Sequence, residues 1–153
     1  MEETERTEEG SRLAKLPAIA AAVALIGVAD AAYLSVHHYT AVPVPCSIIS
    51  GCETVLTSSY AEIAGVPLAA IGGAAYFAAF SLATLAAFGN GLMWKIFGAL
   101  VSLMFLVTLY LLYLQGVVIG AFCQFCLVSA AVTVTLFALY VFSHRGRRET
   151  IRA

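Results

Sequence analysis

Charge is what this chain most lacks. Only 11% of its 153 residues are Asp, Glu, Lys or Arg, while 61% are hydrophobic. Soluble domains carry roughly a quarter charged residues, so the composition excludes an ordinary water-exposed domain and puts the chain in lipid. The net charge of −1 identifies no partner. No nucleic-acid partner is expected, and no motif for a metal or a flavin is visible.

The length suits one domain. Four apolar stretches, residues 16–39, 67–88, 92–114 and 117–142, are each long enough to cross about 30 Å of hydrocarbon at ~1.5 Å per residue. Gly89-Asn90-Gly91 forms a tight reversal between the second and third. The bend between the third and fourth falls near Gln115-Gly116, extending toward Gly120. The one long connection covers residues 40–66. The expected fold class is an all-α integral membrane protein, a four-transmembrane-helix bundle. Residues 1–15 form an acidic tail, 16–142 the membrane domain and 143–153 a basic tail.

Basic residues are missing from two places. The chain has eight Lys and Arg: Arg6, Arg12 and Lys15, then Lys95, then Arg145, Arg147, Arg148 and Arg152. The connections after spans one and three have none. By the positive-inside rule both termini and the 89–91 turn are cytoplasmic, and the long loop and the 115–120 bend are exoplasmic. The expected location is the plasma (inner) membrane, multi-pass. Trp94 beside Lys95 suits an interfacial anchor. The first span is longer than a signal-peptide core and follows acidic Glu2-Glu3-Thr4-Glu5, so a retained helix is expected. Residues 1–10 are expected to be disordered.

All four cysteines fall at the exoplasmic face of this topology: Cys46 and Cys52 in the long loop, Cys123 and Cys126 opening span four. Stapling disulfides suit Cys46 and Cys52. They suit Cys123 and Cys126 poorly, because a ring this small constrains little unfolded-chain entropy. Spacing of i,i+3 favours a reversible dithiol, in which one thiolate attacks and the other resolves. Four thiolates can also hold zinc, with His37 and His38 as further candidates, but an oxidising compartment competes for the thiols. The histidines otherwise read as interfacial residues ending span one.

Pro43-Val44-Pro45 stiffens the approach to Cys46, and residues 47–51 supply a small flexible connection with Gly51 as a hinge beside Cys52. Residues 53–63, with Val55, Leu56, Tyr60 and Ile63 apolar, read as a short interfacial helix or an ordered loop. Gly65-Val66-Pro67 then opens span two with proline near a helix N-terminus.

The run from Cys46 to Ser58, then Gly65-Val66-Pro67-Leu68, then Cys123-Gln124-Phe125-Cys126, resembles the bacterial and archaeal homologues of vitamin K epoxide reductase over nearly the whole chain. The combination of a C-x5-C loop, a serine six residues past its second cysteine and a CxxC opening the last span is specific. The resemblance implies a four-helix bundle around a quinone pocket, forming disulfides with a thioredoxin-like partner. By that likeness Cys46 and Cys52 take electrons from the partner, Cys123 receives them from the loop, Cys126 faces the quinone and Ser58 assists near the pocket. Vertebrate enzymes of the family carry an asparagine in span two and a tyrosine four residues after the last cysteine. Here Leu68 opens span two and Ala130 fills the latter position. These departures weigh against epoxide reduction and leave quinone reduction open. Many bacterial relatives carry a fused thioredoxin-like domain; this chain ends at Ala153, so its partner is expected to be a separate protein.

Asp30, in the outer half of span one, is an expensive residue in lipid. It is expected to orient a quinone oxygen, move a proton or cap the loop, against the plain alternative that it faces interfacial water. Phe77, Phe80, Phe122 and Tyr76 are candidates for the pocket wall or for packing, and Gly72, Gly73, Ala74 and Ala75 for close helix contact. The expected cofactor contacts are Cys126, Ser58, Phe122, Phe80 and Asp30, and the expected catalytic residues are Cys46, Cys52, Cys123 and Cys126. The function expected is a membrane thiol–quinone oxidoreductase. It would pass electrons from a periplasmic or extracytoplasmic thioredoxin-like oxidase to a ubiquinone- or menaquinone-type acceptor. The disulfide-bond protein B type is disfavoured because its CxxC precedes the second pair. A metal-binding membrane protein and a non-catalytic tetraspan scaffold are the alternatives from other classes.

Overall fold

The computed structural model describes the backbone of residues 2–48 and 51–152, with side chains for 15–48 and 51–146. The Ile49-Ser50 part of the loop and the side chains of Arg6, Arg12, Arg147, Arg148 and Arg152 lie outside the described residues. Five α-helices occur in chain order: α1 Glu2–Thr40, α2 Cys52–Leu56, α3 Leu68–Ala87, α4 Gly91–Tyr113 and α5 Gln124–Arg152. A π-helical segment, Leu114–Ile119, continues α4, and two short strands, β1 Glu62–Ile63 and β2 Val66–Pro67, precede α3. Four segments are long and apolar enough to cross a membrane: Lys15–Thr40, Leu68–Ala87, Gly91–Ile119 and Gln124–Gly146.

The four long helices form a ring in which α1 packs on α3, α3 on α4, α4 on α5 and α5 back on α1. The α1–α3 seam is built from small residues. Ala20, Ala21, Ala24 and Ala31 join Ala79, Ala83 and Ala86 in one buried cluster. The ring of Tyr76 fills the space that a Cβ on Gly27 would need, and a Cβ on Gly73 would reach that of Ala31 at 3.4 Å. Lipid supplies no hydrophobic drive between helices, so close backbone approach through such residues is what holds them.

The 89–91 reversal is as the sequence predicts. Gly89 takes a φ of +96°, and the Asn90 side chain caps α4 by accepting from the amides of Leu92 at 3.2 Å and Met93 at 3.3 Å. Trp94, expected as an interfacial anchor, instead points into the bundle. It is buried, stacks on Phe97 at 4.7 Å and donates from Nε1 to Ser143 Oγ at 3.2 Å. Packing against Phe97 and Tyr140 turns this side chain inward in the first turn of α4.

Three other boundaries differ from expectation. The third span runs through Gly116 to Ile119, and the chain reverses at Gly120, whose φ of +69° supplies the left-handed cap. The last helix therefore begins at Gln124, seven residues later than the apolar run suggests. The 53–63 segment is helical only to Leu56. The Thr57 hydroxyl donates to the Glu53 carbonyl at 2.7 Å and the Ser58 hydroxyl to the Val55 carbonyl at 2.7 Å, adding to the bonds that their own amides make to the same carbonyls and closing the helix in a tight last turn. A hairpin follows, pairing Glu62 with Pro67 and Ile63 with Val66 around Ala64 and Gly65, both at positive φ. The backbone of residues 2–10, expected to be disordered, continues α1.

Candidate active site

Both cysteine pairs meet at one end of the bundle. Cys46 and Cys52 form a disulfide with a Cα–Cα distance of 6.3 Å, while Cys123 and Cys126 are free thiols. Cys52, 1% exposed, and Cys123, 0% exposed, share a buried cluster with Val55. Cys46, Leu56, Ile119, Phe125 and Cys126 pack around it.

Two contacts seat the loop on the CxxC segment, and a third joins α1 to it. The amide of Ile48, between the two loop cysteines, donates to Gln124 Oε1 at 3.1 Å. Gly51 lies so close to residues 121 and 122 that a Cβ would stand 2.6 Å from the Phe122 carbonyl oxygen and 2.9 Å from its nitrogen. Its φ is −95°, an ordinary value. Glycine is required here by this approach and not by a left-handed turn, so the residue read as a hinge acts as a contact surface. Tyr33 of α1 packs its ring, tilted, against Phe125 at 5.3 Å and His37 at 4.4 Å.

Gln115 holds Cys123 from the other side. Its buried Oε1 accepts from the Cys123 amide at 3.1 Å, and its backbone carbonyl accepts from Ala121 at 3.1 Å. Cys123 immediately precedes α5, just outside the fourth span, where helix amides face a sulfur. Its thiol is drawn down from the ordinary value of 9.0 to about 7. The hydrogen bond from the Cys126 thiol is the largest cause, burial opposes it, and the amides of Cys126 and Phe125 assist. Cys123 is thus substantially thiolate near neutrality.

A cavity of about 770 Å³ opens within the ring, lined by Cys126, Asp30, Ser58, Tyr76 and Ala130 and by aliphatic side chains of α4. Its size and mainly apolar wall fit a small-molecule ligand. Cys126 lines it and Cys123 does not. Asp30 presents a buried Oδ2 with no hydrogen-bond partner among the described residues. The Tyr76 hydroxyl is buried among the Ser129 carbonyl at 2.7 Å, Ser129 Oγ at 2.8 Å and Thr133 Oγ1 at 2.7 Å. Phe80 packs against the helical core and Phe122 against Gly116; neither lines the cavity. At the loop end His38 Nε2 meets Glu62 Oε1 at 3.0 Å, and His37 Nδ1 lies 3.0 Å from the Val42 carbonyl. Among the described residues no three His, Cys, Asp or Glu side chains group as metal ligands.

The sequence marks Gln115 only as a bend residue and Gln124 only as a member of the CxxC motif. They are the chain's only two glutamines. Both lie within eight residues of Cys123 in an otherwise apolar stretch, which is the signal that marks them. The sequence profile of the vitamin K epoxide reductase family matches residues 18–141, a segment that includes all four cysteines and both glutamines.

Proposed function

The chain belongs to the vitamin K epoxide reductase family, and on that premise we propose that it is a membrane thiol–quinone oxidoreductase that sustains disulfide formation in a thioredoxin-like partner. The carrying observation is that Cys123 lies buried beside Cys52 while its neighbour Cys126 lines the cavity. One dithiol thus borders both the cluster that holds the loop disulfide and the space where an acceptor would bind.

The exchange order follows from burial. A partner thiolate attacks Cys46, the more accessible loop sulfur, and releases the Cys52 thiolate. Cys52 then attacks Cys123 of the inner disulfide and releases Cys126. Attack by the second partner thiolate on the partner–Cys46 bond frees the partner as a disulfide, and Cys46 resolves the Cys52–Cys123 bond. Two electrons now rest on Cys123 and Cys126, ready for a quinone. A thiol of low pKa leaves readily, so the lowered Cys123 suits the resolving step.

The cavity fits a quinone of the ubiquinone or menaquinone type as the electron-accepting substrate, with Cys126, Asp30 and Ser58 lining its place. Ala130 and Leu68, at the positions of the vertebrate tyrosine and asparagine, line the same cavity. That wall supports quinone reduction over epoxide reduction. The scarcity of Lys and Arg at this end, against Lys15, Lys95 and Arg145 toward the other, supports an exoplasmic face for the cysteines and a plasma-membrane location.

The test couples a reduced thioredoxin-like protein to reduction of a short-chain quinone, in wild type and the four single Cys→Ser variants. Each variant is expected to lose turnover. Cys126→Ser reducing quinone at the wild-type rate would overturn the terminal role of that residue.

A further inference from the structure

Reduction of a quinone consumes protons as well as electrons, and the thiols supply too few of them. Closing a disulfide from a Cys123 thiolate and a Cys126 thiol forms one S–S bond and breaks one S–H bond. It yields two electrons and one proton, whereas a hydroquinone requires two of each. A second proton must come from a group at the cavity.

We propose that Asp30 is that group, a proton-transfer residue that protonates the quinone oxygen and is reprotonated from water at the loop end of α1. The inference rests on the quinone-reducing reading above. Asp30 faces the cavity that Cys126 lines, and its buried Oδ2 has no hydrogen-bond partner among the described residues. It lies close enough to Cys123, Cys126 and Tyr76 for its charge to act on each. Glu53 and Tyr60 also line the cavity, from the 40–66 loop, while three polar groups of the wall nearer the CxxC segment and the bundle are engaged. The Ser58 hydroxyl donates to the Val55 carbonyl, Gln115 Oε1 accepts from the Cys123 amide, and the Tyr76 hydroxyl is held among Ser129 and Thr133. Ala130 and Leu68 bring no proton. A polar atom left unpaired in an apolar enclosure is costly, and it belongs to a residue that lines the cavity.

The supply route lies on the same helix face. Asp30, Leu34, His37 and His38 follow the i, i+4, i+7, i+8 pattern, and all line the cavity. His38 ends this face at the surface against Glu62, with side-chain exposures of 29% and 49%. Protons thus enter at the histidine end and reach Asp30 through the cavity. The Cys126 proton and the Asp30 proton complete the hydroquinone, and Asp30 recovers its own from water.

The experiment uses full-length protein in nanodiscs with the inner pair pre-reduced, mixed with menadione or a short-chain ubiquinone. Asp30→Asn is expected to slow closure of the Cys123–Cys126 disulfide by about 10²-fold, the usual scale of a lost general acid. The solvent deuterium isotope effect should rise, because proton delivery then limits. Asp30→Glu is expected to restore much of the rate. Infrared difference spectra on adding quinone to wild type are expected to show a carboxyl band that Asp30→Asn lacks. Thiol exchange between the loop and inner pairs, retained in Asp30→Asn, reports that the fold is intact. Wild type that reduces no quinone would sink the underlying reading. Wild type that does so, with Asp30→Asn equal to it in rate and isotope effect, would overturn only the role of Asp30. Loss of loop exchange together with quinone reduction, unrescued by Asp30→Glu, would overturn it as well.

Discussion

Gln124, the second residue of the CxxC motif, accepts a hydrogen bond from the amide of Ile48, which lies between the two loop cysteines, at 3.1 Å. The residue inside one cysteine pair therefore bonds the loop that carries the other. With Gly51 seated on the Phe122 backbone, this bond sets the register in which Cys52 meets Cys123.

Gln124→Ala is expected to slow electron passage from the loop to the inner pair by about fivefold, the equivalent of one neutral hydrogen bond at ~1 kcal/mol. Quinone reduction by a pre-reduced inner pair should be unaffected. Gln124→Glu, which keeps an acceptor, should retain most of the exchange rate. Acid quenching and alkylation after rapid mixing with a reduced partner, read by mass spectrometry, separates the two steps.

The state of Cys123 sets a pH dependence. Its thiol titrates at about 7 because the Cys126 thiol donates to it. Above that pH the nucleophilic thiolate prevails, and below it the inert thiol does. Closure of the inner disulfide should therefore speed up as pH rises through about 7 and level off above it. Cys126→Ala removes the donor and should move the Cys123 titration upward, toward the ordinary value of 9.0. Thiolate absorbance in the ultraviolet, compared with and without Cys126→Ala in a background that also carries Cys46→Ser and Cys52→Ser, measures that shift.

Gly27→Val tests the seam between α1 and α3. Its side chain would occupy the place of the Tyr76 ring, and overpacking of this kind costs about 1–3 kcal/mol. A lower melting temperature in detergent is expected. Gly72→Ala, where a Cβ meets nothing within 4 Å, should melt close to wild type.

The four spans were legible because lipid leaves a plain mark, long apolar runs with charge removed from between them. The 89–91 turn was legible because Gly89 and Asn90 carry the chemistry of a reversal. The end of the third span was not. Gly116 and Gly120 are both plausible stops by residue type, and the choice depends on Gln115 bonding across to Cys123. The hairpin at 62–67 hid behind an amphipathic pattern, since Thr57 and Ser58 end the helix through local hydroxyl bonds that periodicity does not register. At the site, the cysteines announced themselves by spacing. The two glutamines did not, because a single amide in an apolar run has no periodic signature and its partner is up to 76 residues away. Asp30 stood out as a carboxyl in lipid, but its lack of a partner is a property of the folded chain.

The central claim is that Cys52 and Cys123 are the sulfurs through which the two pairs exchange. Cys126→Ser leaves Cys123 without its resolving partner. In that variant Cys123 is expected to attack Cys52, open the loop disulfide and free the Cys46 thiol, a step that needs no external oxidant. Peptide mapping of this variant under non-reducing conditions reads the outcome directly. The account predicts a Cys52–Cys123 disulfide with Cys46 as a free thiol. A Cys46–Cys123 linkage, or an intact Cys46–Cys52 disulfide beside an unlinked Cys123, would contradict it.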